Sequence, residues 1–212
     1  MSPFQIGEEA IKLWFDASDL DGDGQPDGIT PERGPFPDWK EKTWRNPGKL
    51  FVKYEPNQLN GKGVCGFDNV WVTNIGKEVQ DFQTIMMVYK ESSVSFPGKS
   101  PFIALSKYMG KSEDTRTQLF DPEVIDEKTK NGKTFLNGIR VDPFSTPNPM
   151  DFCILTVELE SSADEIIQKT EGYWEGSLAE IVIFDRALTD SEREGMEAYL
   201  RKKWFSAVDL DF

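Results

Sequence analysis

Histidine is absent from the 212-residue chain, and cysteine occurs only twice. Without an imidazole, the Ser-His-Asp and Cys-His arrangements of nucleophilic catalysis are excluded, as is any mechanism with histidine as the general base. Two thiols also fall short of the four ligands that a structural zinc site usually has. Cys65 and Cys153 each lie in an apolar run, which favours two free buried thiols over a disulfide.

Positive charge is scarce, with 24 Lys and Arg residues against 37 Asp and Glu and a net charge of −13. Nucleic acid and anionic lipid surfaces are therefore poor partners, because binding either one relies on clustered Lys and Arg. No apolar run approaches the roughly 18 residues of a membrane span, and residues 1–5 lack the basic and apolar regions of a secretory signal. The missing signal by itself would indicate the cytosol.

Short apolar segments rich in Val, Ile and Phe alternate with turn residues along the chain, which is typical of an all-β protein. The 17 glycines and 13 prolines fall between these segments. The pairs Asn60-Gly61 and Asn137-Gly138 predict tight hairpin turns. No repeat of fixed period interrupts this pattern, so we predict a single domain over residues 1–212.

The C-terminal region predicts an outer strand followed by a capped helix. An apolar run ends at Phe184, and Asp185-Arg186 then breaks the strand pattern. Thr189 and Glu192 form a capping box, with Leu188 placed as a hydrophobic staple. The helix, at about 189–204, carries one apolar stripe that must pack on the edge or back of a sheet. The stripe comprises Met196, Tyr199, Leu200, Lys203 and Trp204.

This strand, turn and helix, together with three earlier segments, resembles the concanavalin A-like, laminin-G-like jelly-roll superfamily. The earlier segments are 13–18 (LWFDAS), 57–68 (NQLNGKGVCGFD) and 135–138 (FLNG). The resemblance implies a two-sheet antiparallel β-sandwich with a short C-terminal α-helix. It leaves function open, since jelly rolls host lectins, glycoside hydrolases, lyases and protein-binding laminin-G modules.

An acidic loop at residues 19–32 predicts a calcium site. Asp19, Asp21, Asp23 and Asp27 occupy positions one, three, five and nine of an EF-hand-like loop, with Gln25 at the seventh. Converging carboxylates repel one another unless a cation lies between them. The twelfth position is threonine, so Glu32 or a distant carbonyl would complete the shell. The alternative is a solvated acidic turn without metal.

The resemblance brings no catalytic motif with it. Related lyases use a histidine-tyrosine pair, and related glucanases carry a Glu-x-Asp-x-x-Glu strand whose carboxylates share one face. The nearest stretch here, residues 158–165, does not match that spacing. We therefore predict a protein that is not an enzyme, with a glycoside hydrolase as the lesser alternative.

Sugar binding needs aromatic side chains that stack on a pyranose ring, beside short polar side chains that bind its hydroxyls. Trp14 and Trp204 occupy strand and helix positions that we predict to face the core. The other four tryptophans lie in or next to loops and turns, where they either contact a ligand or pack under a loop. These ligand candidates are Trp39, Trp44, Trp71 and Trp174.

The sequence thus predicts a non-catalytic, calcium-binding, lectin-like module whose ligand is a carbohydrate. The alternative is a protein-binding or spacer module of a surface adhesin, in which the acidic surface and the calcium loop provide solubility and rigidity. Because relatives of this fold are mostly extracellular, we expect the chain to belong to a larger exported or cell-surface bacterial protein with further domains.

Overall fold

The computed structural model describes residues 6–19, 52–70, 79–91, 109, 117–163 and 174–206. A 3-10 turn at Glu8–Ala10 precedes the first strand. The strands are β1 (Ile11–Asp16), β2 (Val52–Leu59), β3 (Lys62–Val70), β4 (Phe82–Glu91), β5 (Lys133–Leu136), β6 (Ile139–Val141), β7 (Cys153–Ala163) and β8 (Trp174–Phe184). The helices are α1 (Glu127–Lys130) and α2 (Asp190–Trp204).

All eight strands belong to one antiparallel sheet with the order β2-β3-β8-β4-β7-β5-β6. β1 also pairs with β8, alongside the part of β8 that follows its contact with β3. The all-β class is therefore confirmed. Within the described ranges the strands form one sheet, so the second sheet of a sandwich stays a prediction.

The prediction that the last strand lies on the outside of the fold is wrong. β8 pairs with β4 along one edge and with β1 and β3 along the other, so it is central in the sheet. Its residues Ile181 to Phe184 are all at most 1% exposed. A continuous apolar run of this kind is typical of a strand that is covered on both faces.

Two hairpin turns form where the sequence predicts them. Asn60 and Gly61 both have positive φ, of 47° and 71°, between Leu59 and Lys62 of the β2–β3 pair. Asn137 and Gly138, with φ of 53° and 86°, likewise connect β5 to β6. Positive φ at both central residues defines the type I′ turn, whose twist matches that of the flanking strands.

Both faces of the sheet are shielded along its centre. Successive β4 residues point to opposite faces, and Ile85, Met86, Met87 and Val88 are all 0% exposed. On β8, Ala179 is an extra residue, because Val88 pairs with Glu180 while the next β4 residue pairs with Leu178. This bulge reverses the alternation of faces beyond it.

Helix α2 begins as predicted, and it covers the sheet face that carries Glu180. The Thr189 side chain accepts from the Glu192 backbone N–H, and the Thr189 backbone N–H donates to the Glu192 carboxylate, so the capping box is complete. Met196, Leu200 and Trp204 are each 0% exposed.

In the described part of the chain, no helix has the length and apolar character needed to cross a membrane.

Trp204 is buried as predicted, whereas the prediction that Trp14 faces the core is wrong. Trp14 is 38% exposed, because β1 pairs with β8 alone among the described strands and so lies at an edge of the sheet. Its ring meets the Tyr199 ring edge to face, with centroids 6.2 Å apart. Its indole N–H donates to Glu180 Oε1 over 2.7 Å, so the side chain is held by contacts although it is not buried.

The two cysteines are free and buried, as predicted. Strand register explains why they do not bond: Cys65 lies opposite Leu178, Leu178 opposite Tyr89, and Tyr89 opposite Cys153. Three strand spacings separate the thiols by about 14 Å, twice the roughly 7 Å that a disulfide tolerates between Cα atoms. Burial raises the pKa of the Cys65 thiol, with a further contribution from the Glu55 carboxylate.

Candidate functional site

Only the first residue of the predicted calcium loop lies in the described part of the chain. Asp19 follows the end of β1, and its backbone N–H donates to Asp16 O over 3.2 Å. The remaining predicted ligands, Asp21, Asp23, Gln25 and Asp27, lie outside the described residues. In the described ranges, which omit 20–51, no group of three or more His, Cys, Asp or Glu is arranged to hold a metal ion. Calcium binding therefore stays a prediction.

Three of the four predicted ligand tryptophans, Trp39, Trp44 and Trp71, also lie outside the described residues. The backbone of Trp174 is described, and it begins β8. Trp174 pairs with Val70, the last residue of β3, and Trp71 follows Val70 in the chain. The β3–β8 ladder therefore includes the backbone of one candidate tryptophan, Trp174.

Glu91 lies at the same end of the sheet. It ends β4, pairs with Gly176 of β8, and is only 7% exposed. Gly176 follows Trp174 by two residues on β8, and it pairs in turn with Phe67 of β3. Glycine has no side chain, so only backbone lies between Glu91 on β4 and Phe67 on β3 in this row of the sheet. We call this region, made of Glu91, Asn148, Gly176 and the backbone of Trp174, the Glu91 end.

Asn148 completes the Glu91 end from the loop between β6 and β7. Its backbone N–H donates to Thr117 O over 2.7 Å, which fixes the loop. Its side-chain Nδ2 donates to Glu91 Oε2 over 2.5 Å. A carboxylate can only accept, so the amide nitrogen must face Glu91 and the amide oxygen must point elsewhere. That oxygen, Oδ1, is buried and has no hydrogen-bond partner.

A second polar centre, which we call the Glu180 cluster, lies between α2 and the sheet. It comprises Glu180, Asp16, Lys203 and the indole N–H groups of Trp14 and Trp204. Glu180 is 0% exposed and accepts from Trp14, from Trp204 over 2.5 Å, and from Lys203 over 2.7 Å. Lys203 also donates to Asp16 Oδ2. The cluster therefore places one ammonium between two carboxylates.

The electrostatics of the Glu180 cluster follow from this composition. Burial, together with the Asp16 carboxylate, raises the pKa of Glu180, although Lys203 and the Trp204 N–H oppose that shift. Burial acts to lower the pKa of Lys203, but the Glu180 and Asp16 carboxylates outweigh it, so that pKa is raised. Three of these bonds join α2 or β1 to β8, and the fourth joins α2 to β1, so the cluster holds the helix on the sheet.

Arg193 and Glu197, two further buried charged residues of α2, also hold the helix on the sheet. Arg193 Nη1 donates to Glu197 Oε2 over 2.8 Å, and the guanidinium lies 4.0 Å from the centroid of the Phe135 ring. Glu197 Oε1 accepts from Thr156 of β7 over 2.9 Å. The acidic side chains beneath α2 are thus committed to partners within the fold.

Sequence reasoning missed both Glu91 and Asn148. Neither residue belongs to a motif, and they are 57 positions apart. No local signal distinguished Glu91, because the apolar run of β4 ends at Tyr89 and another charged residue, Lys90, precedes Glu91. Comparison with known proteins adds no further indication, because none of the family models, curated proteins or solved structures that were searched matches the chain.

Proposed function

We propose that this chain is a non-catalytic carbohydrate-binding module of an exported or cell-surface bacterial protein. The observation that supports the proposal is the pairing of Val70 with Trp174. This pairing holds the backbone of Trp174 at the start of the central strand β8. A tryptophan held on a strand offers apolar surface to a sugar ring at a small cost in conformational entropy.

The proposal includes a two-sheet sandwich of laminin-G-like topology. Its support is that Ile85 and Met87 are as fully buried as Met86 and Val88, although only one of these two faces lies against α2. A second layer over the opposite face would account for that burial. Leu119 and Phe120, from the segment between β4 and α1, already belong to the same core.

The proposal also includes a calcium ion in the acidic loop. Asp19 follows a strand end that is fixed by the bonds of Asp16 to Ser18 and Lys203. A loop that begins at such an anchored point loses less entropy when its carboxylates gather around a cation. Calcium would then hold the loop in place rather than take part in chemistry.

A glycan array with and without calcium tests the proposed function. We expect selective binding to a subset of glycans, and we expect Trp174→Ala to weaken it at least about tenfold, as the loss of a stacking contact predicts. Ile139→Ala is the matched control, because Ile139 is an apolar side chain that is 70% exposed on β6. The control should bind as the wild type does.

The outcomes separate the proposal from its alternatives. Absence of glycan binding by a folded, calcium-loaded protein would favour a protein-binding or spacer module of a surface adhesin. Release of reducing sugar from a bound glycan would instead identify a glycoside hydrolase. Equal affinity of Trp174→Ala and the wild type would show that the β3–β8 end of the sheet is not the binding site.

A further inference from the structure

We propose that Asn60 is a site of spontaneous deamidation, in which the Gly61 backbone nitrogen attacks the Asn60 side-chain amide and the products are aspartate and isoaspartate. The inference is independent of carbohydrate and calcium binding. It depends on three described features of the β2–β3 turn: an exposed Asn-Gly pair, a glycine N–H without an acceptor, and a single hydrogen bond from the Asn60 side chain to the end of α2.

The reaction needs no reagent other than water and base. A base removes the proton of the Gly61 N–H, and the nitrogen forms a bond to Asn60 Cγ. The C–N bond of the side-chain amide breaks, ammonia leaves with a proton from water, and a cyclic imide remains. Water then opens the imide at either of its two carbonyl carbons, which gives aspartate or isoaspartate. Glycine favours the attack, because it has no side chain to hinder the approach of its nitrogen.

The β2–β3 turn meets the structural requirements of this reaction. Asn60 and Gly61 are both exposed, and the Gly61 N–H has no hydrogen-bond acceptor in the part of the chain that the structure describes. Closure of the imide requires rotation of the Asn60 backbone away from its type I′ conformation, so the turn must open locally. The one hydrogen bond that holds the Asn60 side chain runs from Nδ2 to Lys203 O over 3.0 Å.

The β5–β6 turn has the same two residues and the same turn type, but it is held more firmly. The Asn137 backbone N–H donates to Ile154 O over 2.8 Å, and Asn137 Oδ1 accepts from the Ile154 N–H over 2.9 Å. Asn137 O also accepts from Arg201 Nη2 over 2.7 Å. Opening this turn breaks two more bonds than opening the turn at Asn60, so deamidation of Asn137 should be slower by about tenfold or more.

The third Asn-Gly pair, Asn131-Gly132, is protected in another way. The Gly132 N–H donates to Thr129 O over 3.1 Å, so the attacking nitrogen is engaged in a hydrogen bond. Gly132 also packs so closely against Glu158 O that no side chain would fit there. Asn131 Nδ2 donates to Glu160 Oε2 over 3.2 Å. The sequence contains three equivalent pairs, and the fold leaves the one at Asn60 the most reactive.

Deamidation of Asn60 would weaken the end of α2. Lys203 O is among the last four carbonyl groups of the helix, which have no partner within it, and Asn60 Nδ2 supplies a donor. A carboxylate at this position can only accept, and its charge would lie at the negative end of the helix dipole. Both changes destabilise the last turn of α2, which carries Lys203 and Trp204.

Mass spectrometry of the intact folded chain tests the site. The chain is incubated in mildly alkaline buffer, digested in mild acid, and its fragments are sequenced. We expect Asn60 to be converted before Asn131 and Asn137, at a rate that rises with pH. Asn57 is the internal control, because it is also exposed and has a positive φ of 55°, but Gln58 follows it instead of glycine. Asn57 should stay unmodified while Asn60 is converted.

Asn60→Asp tests the consequence for α2, since it removes the donor and adds the charge. It should lower the midpoint of urea denaturation, whereas the matched control Asn57→Asp should leave the midpoint unchanged. Should Asn60→Asp fail to fold, deamidated wild-type protein separated by ion exchange supplies the same measurement.

Conversion of Asn131 or Asn137 as early as Asn60 would overturn the proposed site. An unmodified Asn60 in the folded protein, under conditions that convert it when urea unfolds the chain, would overturn it equally. A denaturation midpoint of Asn60→Asp equal to that of the wild type would overturn the effect on α2.

Discussion

Trp204 donates its indole N–H to the carboxylate of Glu180 over 2.5 Å, in a contact that solvent does not reach from either side. The bond joins the last turn of α2 to the central strand of the sheet. Docking of the helix therefore depends on polar complementarity as well as on apolar burial, because a buried carboxylate without donors would be costly.

Substitution of Trp204 separates these two contributions. Trp204→Ala removes a fully buried ring and should lower the unfolding free energy by about 3 to 5 kcal/mol. Trp204→Phe keeps most of the apolar surface but removes the donor, and should cost about 1 to 3 kcal/mol. Urea denaturation measures both changes. A denaturation midpoint that neither substitution moves would show that α2 is not docked through this residue.

Lys203→Met should be among the most destabilising changes in the helix. It leaves the buried Glu180 and the partly buried Asp16 as neighbouring carboxylates without a cation, which costs about 3 to 5 kcal/mol. The double variant Lys203→Met with Glu180→Gln should recover part of that loss, because the uncompensated charge is gone. Full additivity of the two substitutions in a double-mutant cycle would contradict the described ion pairs.

The pH dependence of Lys203 has a definite sign. Its pKa in the fold lies above the ordinary value of 10.5, so its contribution to stability is fully present below pH 10.5 and is lost as the pH rises through the raised pKa. Thermal melts of the wild type should therefore show a decline in this alkaline range that Lys203→Met lacks. Parallel curves for the two proteins would refute the linkage.

Glu192 should control stability in acid. Its pKa is lowered to about 2, first by the two hydrogen bonds from Arg186 and then by the Thr189 backbone N–H. The stability it contributes is present above its ordinary pKa of 4.5 and is lost as the pH falls from there towards about 2. Glu192→Gln should flatten this part of the stability profile. Thr189→Ala, which removes the cap, should cost about 1 kcal/mol at neutral pH.

Acidification should change the contribution of Glu180 to stability in the direction opposite to that of Glu192. Its pKa is raised above 4.5, mainly by burial, so protonation favours the folded state. Acidification therefore weakens the cap at Glu192 while it relieves the charge at Glu180. Glu180→Gln should make stability fall more steeply as the pH is lowered, because only the loss of the Glu192 contribution then remains.

Calcium should stabilise the fold if the acidic loop binds it. At about 100 times the dissociation constant, a ligand that binds only the folded state adds about 2.7 kcal/mol. Chelation should therefore lower the melting temperature by several degrees. Asp21→Asn combined with Asp23→Asn should abolish the difference between chelated and calcium-loaded protein. Identical melting curves for the wild type with and without a chelator would leave the loop as an acidic turn.

Local features of the fold were predictable because their physics is local. Asn60-Gly61 and Asn137-Gly138 specify their turns through positive φ, and Thr189 specifies the start of α2 through its side-chain cap. The end of β8 at Phe184 could also be predicted from the sequence. The central position of β8 was not, although its unbroken apolar run carried that signal.

Contacts between distant segments were not predictable from one sequence. The bond between Trp14 and Glu180 spans 166 positions, and no local rule links the two residues. The exposure of Trp14 depends on the position of β1 at an edge of the sheet, which is a tertiary property. The pairing of Glu91 with Asn148 was missed for the same reason, since it requires the register of β4 and the path of the loop before β7.

The central position of β8 determines the order in which the sheet can form during synthesis. β1, β3 and β4 all pair with β8, yet β8 emerges from the ribosome after the seven other strands that the structure describes. Until then β3 and β4 present unpaired edges, which favour association with other nascent chains. Pairing of such distant strands also slows folding. We therefore expect the nascent chain to depend on chaperones until β8 has been made.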